Sequence, residues 1–326
     1  MADGRAVQKR FLLSVVLGVG VFFALIVFGN AKETGIALHH IAWRYLPSVF
    51  ALAFLNYCIR FIRWHYYLRI SKICLPFAQS LTVFFCGLSM SITPGKIGEV
   101  VKAYFVKTLN GTPMSSTLGI VFVERFTDLF AVVLLASIGA LSFHYGQIVV
   151  FIGAAIVFFI LAIIINRRLS ERLIRLLARV RRLSQFSEKL FTVYEHSHRL
   201  LSARPLTIGL MLGILAWFSE CFAFFLVLQS LQIPLSLTMA IFIYAFSTLF
   251  GAMTMLPGGL ATTEGSMAGL LLLRGIPKDA AAAATIVIRI ATLWFAVLFG
   301  ILWMLPYRKM TVKAKMNSEK QAHGTL

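Results

Sequence analysis

Eight ionisable side chains of this sequence lie within or beside strongly apolar stretches, where a charge is costly and usually serves a function. They are Lys96, Glu99, Lys102, Glu124, Arg125, Asp128, Glu264 and Arg289. Basic side chains in such a setting can hold a phosphate group through charge-assisted hydrogen bonds, and a buried carboxylate can bind and release a proton. The pattern therefore predicts a buried polar site for a phosphate-bearing ligand, with Glu264 or Glu99 as the titrating group.

A purely structural role is the alternative for part of this set. Glu124 and Asp128 share a helix face at a spacing of four residues, as Glu99 and Lys102 do at a spacing of three. Arg125 stands beside two acids, so internal ion pairs explain this group as well as a ligand site does.

The second half of the chain offers fewer partners. For Glu264 and Arg289 we therefore favour a functional role, although their pairing with each other is also open. Glu220 lies next to Trp217 in an apolar run, and for it we favour a structural role.

Two Pro-Gly breaks must position these charges. The stretch "SITPGKIGE" (91–99) contains Pro94, Gly95 and Gly98, and "TMLPGGLATTEG" (254–265) contains Pro257, Gly258 and Gly259. Unpaired backbone groups at membrane depth are tolerated only inside protein or beside a polar cavity. The helix N-termini that follow each break add positive dipole ends that suit a phosphate.

Composition places the chain in a bilayer. Its 326 residues are 59% hydrophobic and 13% charged, with a mean hydropathy of +0.86, whereas soluble domains carry about 25% charged residues. The net charge of +19 comes largely from short basic segments beside apolar runs, as the positive-inside rule predicts. We expect contact with anionic lipid headgroups and no binding of nucleic acid.

The apolar runs predict an all-α polytopic membrane protein with eight segments. They are 11–29, 46–68, 77–93, 114–143, 146–165, 205–229, 236–256 and 279–305. With both termini and the basic 166–204 segment on the cytoplasmic side of a plasma (bacterial inner) membrane, six segments are full transmembrane helices. The regions 77–109 and 236–275 must each begin and end on one side, so they are predicted to be re-entrant hairpins, with pairs of full spans as the alternative.

The two breaks belong to an internal repeat. Pro257 follows Pro94 by 163 residues and Arg289 follows Arg125 by 164, and "VERFTDLFAVVLL" (123–135) aligns with "VIRIATLWFAVLF" (287–299). Under the predicted topology the hairpins enter from opposite sides. That is an inverted repeat, as in many transporters with a midplane site.

These repeats set the predicted organisation of a single integral-membrane domain over 1–326. Unit one spans 46–143 and unit two spans 205–305. Between them, 166–204 is predicted to be a basic amphipathic helix on the cytoplasmic face, and 306–326 a basic, disordered cytoplasmic tail.

The motifs "PGKIGE" (94–99), "ERFTDL" (124–129), "LPGGLATTEG" (256–265) and "IRIATLWFAVLFG" (288–300) resemble those of the lysylphosphatidylglycerol-synthase transmembrane-region family of flippase-like membrane proteins. The resemblance covers about 11–305. It departs from the family's pattern at Lys96, where Arg is frequent, and at Ala261, where a second Gly is typical. In the multiple peptide resistance factor, a similar region is joined to a soluble aminoacyl-transferase domain that this sequence does not contain.

The resemblance implies a lipid translocase rather than an enzyme, moving a phospholipid or a polyprenyl-phosphate-linked lipid. Two alternatives remain: a non-catalytic membrane partner of a lipid or glycan biosynthesis enzyme, and a lipid-headgroup transferase or hydrolase. We expect anionic or phosphate-bearing lipids as partners and no metal ion or cofactor. A homo-oligomer is left open.

Overall fold

The computed structural model describes residues 2–93, 100–140, 147–178 and 184–323, and within them the regular structure is helical. Three short turns complete it: 3₁₀ turns at Trp43–Tyr45 and Pro257–Gly259, and a π-helical turn at Ile290–Trp294. The helices are α1 Ala2–Phe28, α2 Ala31–His39, α3 Leu46–Ile70, α4 Phe77–Leu88, α5 Val100–Asn110, α6 Met114–Ala140, α7 Gln147–Ile165, α8 Arg167–Ala178, α9 Ser184–His198, α10 Ala203–Ser230, α11 Leu237–Met253, α12 Thr262–Leu273, α13 Lys278–Arg289 and α14 Phe295–His323.

Three stretches of the described chain are long and apolar enough to cross a membrane. They are Trp43–Ile70, Ala203–Ser230 and Lys278–Thr311, the last continuous through the π-helical turn. A fourth candidate, Leu12–Phe28 with Ala31–His39, is bent by 96°. The protein is thus a multi-pass helical membrane protein.

Four shorter helices flank the two predicted breaks. Helices α4, α5 and α12 have 12, 11 and 12 residues, and α11 has 17. Each is shorter than the roughly 20 residues that cross a bilayer. Helix α4 packs against α5, and α11 packs against α12.

The charged part of α6 lies between two apolar cores. One core packs Ala131–Ala140 of this helix against α10 and α11, and the other packs Ile120–Val123 against α3 and α4. The residues from Glu124 to Asp128 therefore sit where the two cores meet, close to the middle of a 27-residue helix. Such a position demands partners from other helices.

Helices α8 and α9 form the described part of the basic segment, and residues 179–183 between them lie outside the described ranges. Helix α9 is fixed to the bundle: Ser197 Oγ donates to the Gly119 carbonyl oxygen at 3.2 Å, and Tyr194 Oη donates to the Ile164 carbonyl oxygen at 3.1 Å. Gly119 permits this approach, since a Cβ there would lie 3.1 Å from the Cβ of His196.

The last helix includes most of the C-terminal tail. Helix α14 continues through Pro306 to His323. Its last turns are rich in Lys, Ala, Met, Glu and Gln, which are good helix formers.

Candidate functional site

The break at Pro257–Gly259 lies against a buried ion pair. Arg289, the last residue of α13, donates from Nε to Glu264 Oε1 at 2.5 Å and from a terminal nitrogen to the Gly258 carbonyl oxygen at 2.8 Å. Glu264, in the first turn of α12, is 1% exposed. The pairing of Glu264 with Arg289 considered from the sequence is therefore present.

Glycine explains the shape of this break. Gly258 and Gly259 have φ angles of 60° and 67°, a left-handed conformation that glycine adopts at little cost. Ala261 adopts a φ of 69° without that freedom. The chain thus bends sharply between α11 and α12 and leaves a backbone carbonyl for Arg289.

A polar chamber of about 100 Å³ lies against this pair. Arg289 and Arg60 line it together with Glu220, whose Oε2 accepts a hydrogen bond from Tyr244 Oη at 2.8 Å. Liquid water occupies about 30 Å³ per molecule, so the chamber has room for about three waters or a group of similar size.

An apolar cavity of about 450 Å³ shares a wall with the polar chamber. Its lining is mainly apolar, including Leu249, Met253 and Leu256, but the charged side chains of Arg125 and Asp128 also line it. Residues common to both spaces are Trp217, Thr248, Ala252, Gly258 and Gly259. A charged space and a mainly apolar space therefore meet at the break formed by Pro257–Gly259.

Asp128 collects three arginines in the other half of the site. Its Oδ1 lies 2.6 Å from a terminal nitrogen of Arg63, and its Oδ2 lies 2.9 Å from Arg125 and 3.7 Å from Arg60. Arg63 also donates to Thr127 Oγ1 at 3.1 Å. Three guanidinium groups around one carboxylate leave an excess of positive charge. Because Arg60 also lines the polar chamber, part of this charge faces the chamber.

Lys102 and Glu124 form a separate, sealed pair. Lys102 Nζ lies 2.7 Å from Glu124 Oε2, and it lies 4.6 Å and 5.5 Å from the ring centroids of Trp64 and Phe84. Both side chains are at most 4% exposed. Of the two acids beside it in sequence, Arg125 thus pairs with Asp128, while Glu124 pairs with Lys102.

Sequence reasoning missed two members of the site. Arg63 is fully buried and Arg60 lines the chamber, and neither was among the predicted site residues. Their spacing of three residues, two turns or more inside a 25-residue apolar helix, was the available signal. Glu220, assigned a structural role, also lines the chamber.

The predicted break at 94–99 falls on residues that the structure does not describe. Pro94, Gly95, Lys96, Gly98 and Glu99 lie outside the described residues. Within the described ranges, no three His, Cys, Asp or Glu side chains are grouped so as to hold a metal ion.

Comparison with known proteins gives a family match over most of the chain. The profile of the family described as "Lysylphosphatidylglycerol synthase TM region" matches residues 12–300. A UPF0104 membrane protein of Methanothermobacter thermautotrophicus is 25% identical over 319 residues, covering 92% of this chain and 94% of the relative. A UPF0104 membrane protein of Pyrococcus horikoshii is 24% identical over 340 residues, covering 94% of this chain and 100% of the relative.

Proposed function

The chain belongs to the lysylphosphatidylglycerol synthase TM region family, and on that premise we propose that it is a flippase-like lipid translocase. Its cargo would be a phospholipid or a polyprenyl-phosphate-linked lipid, anionic or phosphate-bearing at its headgroup. Movement would be downhill or coupled to protons or ions.

The observation that carries this proposal is the shared wall between the polar chamber and the apolar cavity. A lipid has one charged end and one apolar end, and the two spaces supply a matching environment for each. Arg60 and Arg289 provide the guanidinium groups that bind phosphate oxygens, often with two hydrogen bonds each.

We extend the proposal to the topology. Six full spans would carry two hairpins, α4–α5 from the cytoplasmic side and α11–α12 from outside, related as an inverted repeat with cytoplasmic termini. The short lengths of these four helices support it, as does the sharp break at Pro257–Gly259 between α11 and α12.

Glu264 supplies a route to coupling. Its Oε1 holds Arg289, while its Oε2 is buried and has no hydrogen-bond partner among the described residues. A proton on Glu264 would remove the charge that holds the guanidinium and release Arg289 for a lipid phosphate. The Glu264 carboxylate and a lipid phosphate would then alternate as partners of Arg289, with the proton held by Glu264 while the phosphate is bound.

Reconstitution into liposomes tests translocation. Purified protein in vesicles with a trace of acyl-labelled fluorescent phosphatidylglycerol should expose the inner-leaflet label to an impermeant quencher faster than protein-free vesicles do. We expect Arg289→Gln to slow this movement by about tenfold or more, because a charge-assisted contact to phosphate is lost.

Arg274→Gln is the matched control, since Arg274 is exposed at the C-terminal end of α12. It should move lipid at the wild-type rate. Equal rates for wild-type protein and protein-free vesicles, with both this lipid and a polyprenyl phosphate, would refute the proposal.

A second candidate is the partner role, which the surface of α8 favours. Arg167, Arg168, Arg172 and Arg175 are all exposed on this helix, so it presents a basic face to the aqueous side. If the chain tethers a lipid or glycan biosynthesis enzyme through this face, replacing Arg168 and Arg172 with Gln should abolish co-purification and leave lipid movement in vesicles unchanged.

A further inference from the structure

A second polar cavity lies apart from the central site, at the end of the bundle that carries the basic segment. Its volume is about 830 Å³, within the range of about 300–1,000 Å³ typical of small-molecule pockets. Four chain segments form it: the turn after α3, the α5–α6 connection, the start of α8 and the end of α9.

The charges of this cavity favour an anion. Lys72, Arg167 and Arg199 line it against one carboxylate, Glu195, among the described lining residues; Arg167 also donates from Nε to Glu171, which is not in that lining. His196 and His198 lie in the same wall and add ring nitrogens that can donate hydrogen bonds. Clustered Lys, Arg and His side chains around a polar space are the usual donors to a phosphate group.

The rest of the lining points to a hydrophilic ligand. Hydroxyl and amide side chains of Ser71, Asn110, Thr112 and Ser116 face the cavity, whereas Ile73 is the one aliphatic side chain among the described lining residues. The apolar cavity beside the central site has the opposite composition. The polar side chains of this lining therefore suit a hydrophilic group better than an acyl chain.

The walls are held in place without a ligand. Asn110 Nδ2 donates to the Cys74 carbonyl oxygen at 3.2 Å and its Oδ1 accepts from the Thr112 amide at 3.1 Å, which ties the two loops together. Helix α9 is fixed to α6 through Ser197. A site formed in advance loses less entropy when it binds.

We propose that this cavity is a binding site for a phosphate-bearing anion, distinct from the translocation site and independent of its function. The basic segment, interpreted from the sequence as a topology signal and a lipid contact, supplies two of the three cations through Arg167 and Arg199. The shared ligand chemistry is a phosphate monoester, carried either by a soluble phosphorylated molecule or by a lipid headgroup reaching in from the membrane surface.

Two probes distinguish these sources in the full-length protein held in phosphatidylcholine nanodiscs. Glycerol 3-phosphate represents the soluble class and is titrated by calorimetry; phosphatidic acid, mixed into the nanodisc, represents the headgroup class and is counted by native mass spectrometry. We expect one of the two to bind saturably at one site in Arg289→Gln, a background without the phosphate contact proposed for the translocation site. Its identity then assigns the source.

The variant Lys72→Gln/Arg199→Gln removes two cations that are exposed on the rim, so folding should not be at risk. It should lower the affinity for the probe that binds by about tenfold or more, as expected for lost charge-assisted hydrogen bonds. The control Lys107→Gln/Arg168→Gln removes two exposed charges that do not line the cavity, and it should bind like the wild type.

Three results would overturn the proposal: no saturable binding of either probe, equal binding by the Lys72/Arg199 variant and the wild type, or equal weakening in both variants. Arg289→Gln separates the two sites. It should leave this binding unchanged even where lipid movement is lost, and a failure of the translocase proposal would not alter the expected result here.

Discussion

The two halves of the molecule contain the same device with the charges exchanged. In the first half, the short helix α5 carries a cation, Lys102, that pairs with Glu124 on the long helix α6. In the second half, the short helix α12 carries an acid, Glu264, that pairs with Arg289 at the end of α13. Each pair links a short helix to the next helix along the chain.

The surroundings of the two pairs differ. Lys102 lies over two aromatic rings in a packed core, and neither member lines a described cavity. Arg289 lines the polar chamber and also holds a backbone carbonyl of the break. One pair is thus built for stability, whereas the other is exposed to whatever enters the chamber.

Breaking the sealed pair should have the largest effect on stability. Lys102→Met leaves Glu124 charged in a dry core, which typically costs about 3–5 kcal/mol. We expect a large drop in the unfolding midpoint in detergent, followed by intrinsic tryptophan fluorescence, or a loss of folded protein on expression. The double variant Lys102→Met/Glu124→Gln removes both charges and should recover most of the loss; no recovery would mean that the pair does not act as a unit.

Breaking the chamber pair should cost less stability and more activity. In Arg289→Gln the amide keeps one hydrogen bond to Glu264, and water in the chamber can solvate nearby groups, so the cost should be about 1–3 kcal/mol. Lipid movement should nevertheless fall by tenfold or more. A stability loss as large as that of Lys102→Met would show that the two pairs are equivalent.

A substitution in the break at Pro257–Gly259 should lower the free energy of unfolding less than breaking either ion pair does. Gly258→Ala forces a Cβ into a left-handed backbone position, 3.3 Å from Leu293 Cδ2, and should cost about 1–2 kcal/mol. Gly265→Ala is the matched control, because a Cβ there meets open space within α12. The same unfolding assay should show that it is neutral or stabilising by up to about 1 kcal/mol.

The boundaries of the long helices could be predicted because apolar runs and helix lengths coincide in a bilayer. The predicted segment 205–229 corresponds to α10 at Ala203–Ser230, and 46–68 corresponds to α3 at Leu46–Ile70. Glu264 and Arg289 could be paired because their half of the sequence offers few other partners. These inferences needed only local pattern and charge scarcity.

The rest of the site depends on partners that are distant in sequence. Arg63 can be buried because Asp128, 65 residues later, neutralises its charge. The local sequence around Arg63 gives no sign of this partner. Glu124 lies beside Arg125 in sequence, yet helix geometry turns it towards Lys102. The π-helical turn directly after Arg289 is likewise not visible in the apolar pattern.

A third ion pair, exposed on α8, serves as the reference against which the stability of the two buried pairs is compared. On α8, Arg167 Nε donates to Glu171 Oε1 at 2.7 Å, and this hydrogen bond holds the pKa of Glu171 below its ordinary value. A lowered carboxyl pKa adds stability that is present above the ordinary value and is lost as the pH falls through the lowered one. Because Arg167 is 55% exposed, solvent and salt screen the attraction.

Glu171→Gln should therefore leave the unfolding midpoint at pH 7 unchanged within error, and any small difference should vanish in 1 M salt or at a pH below the lowered pKa. A shift approaching that of Arg289→Gln would mean that α8 is shielded from water, and that burial does not separate the three pairs.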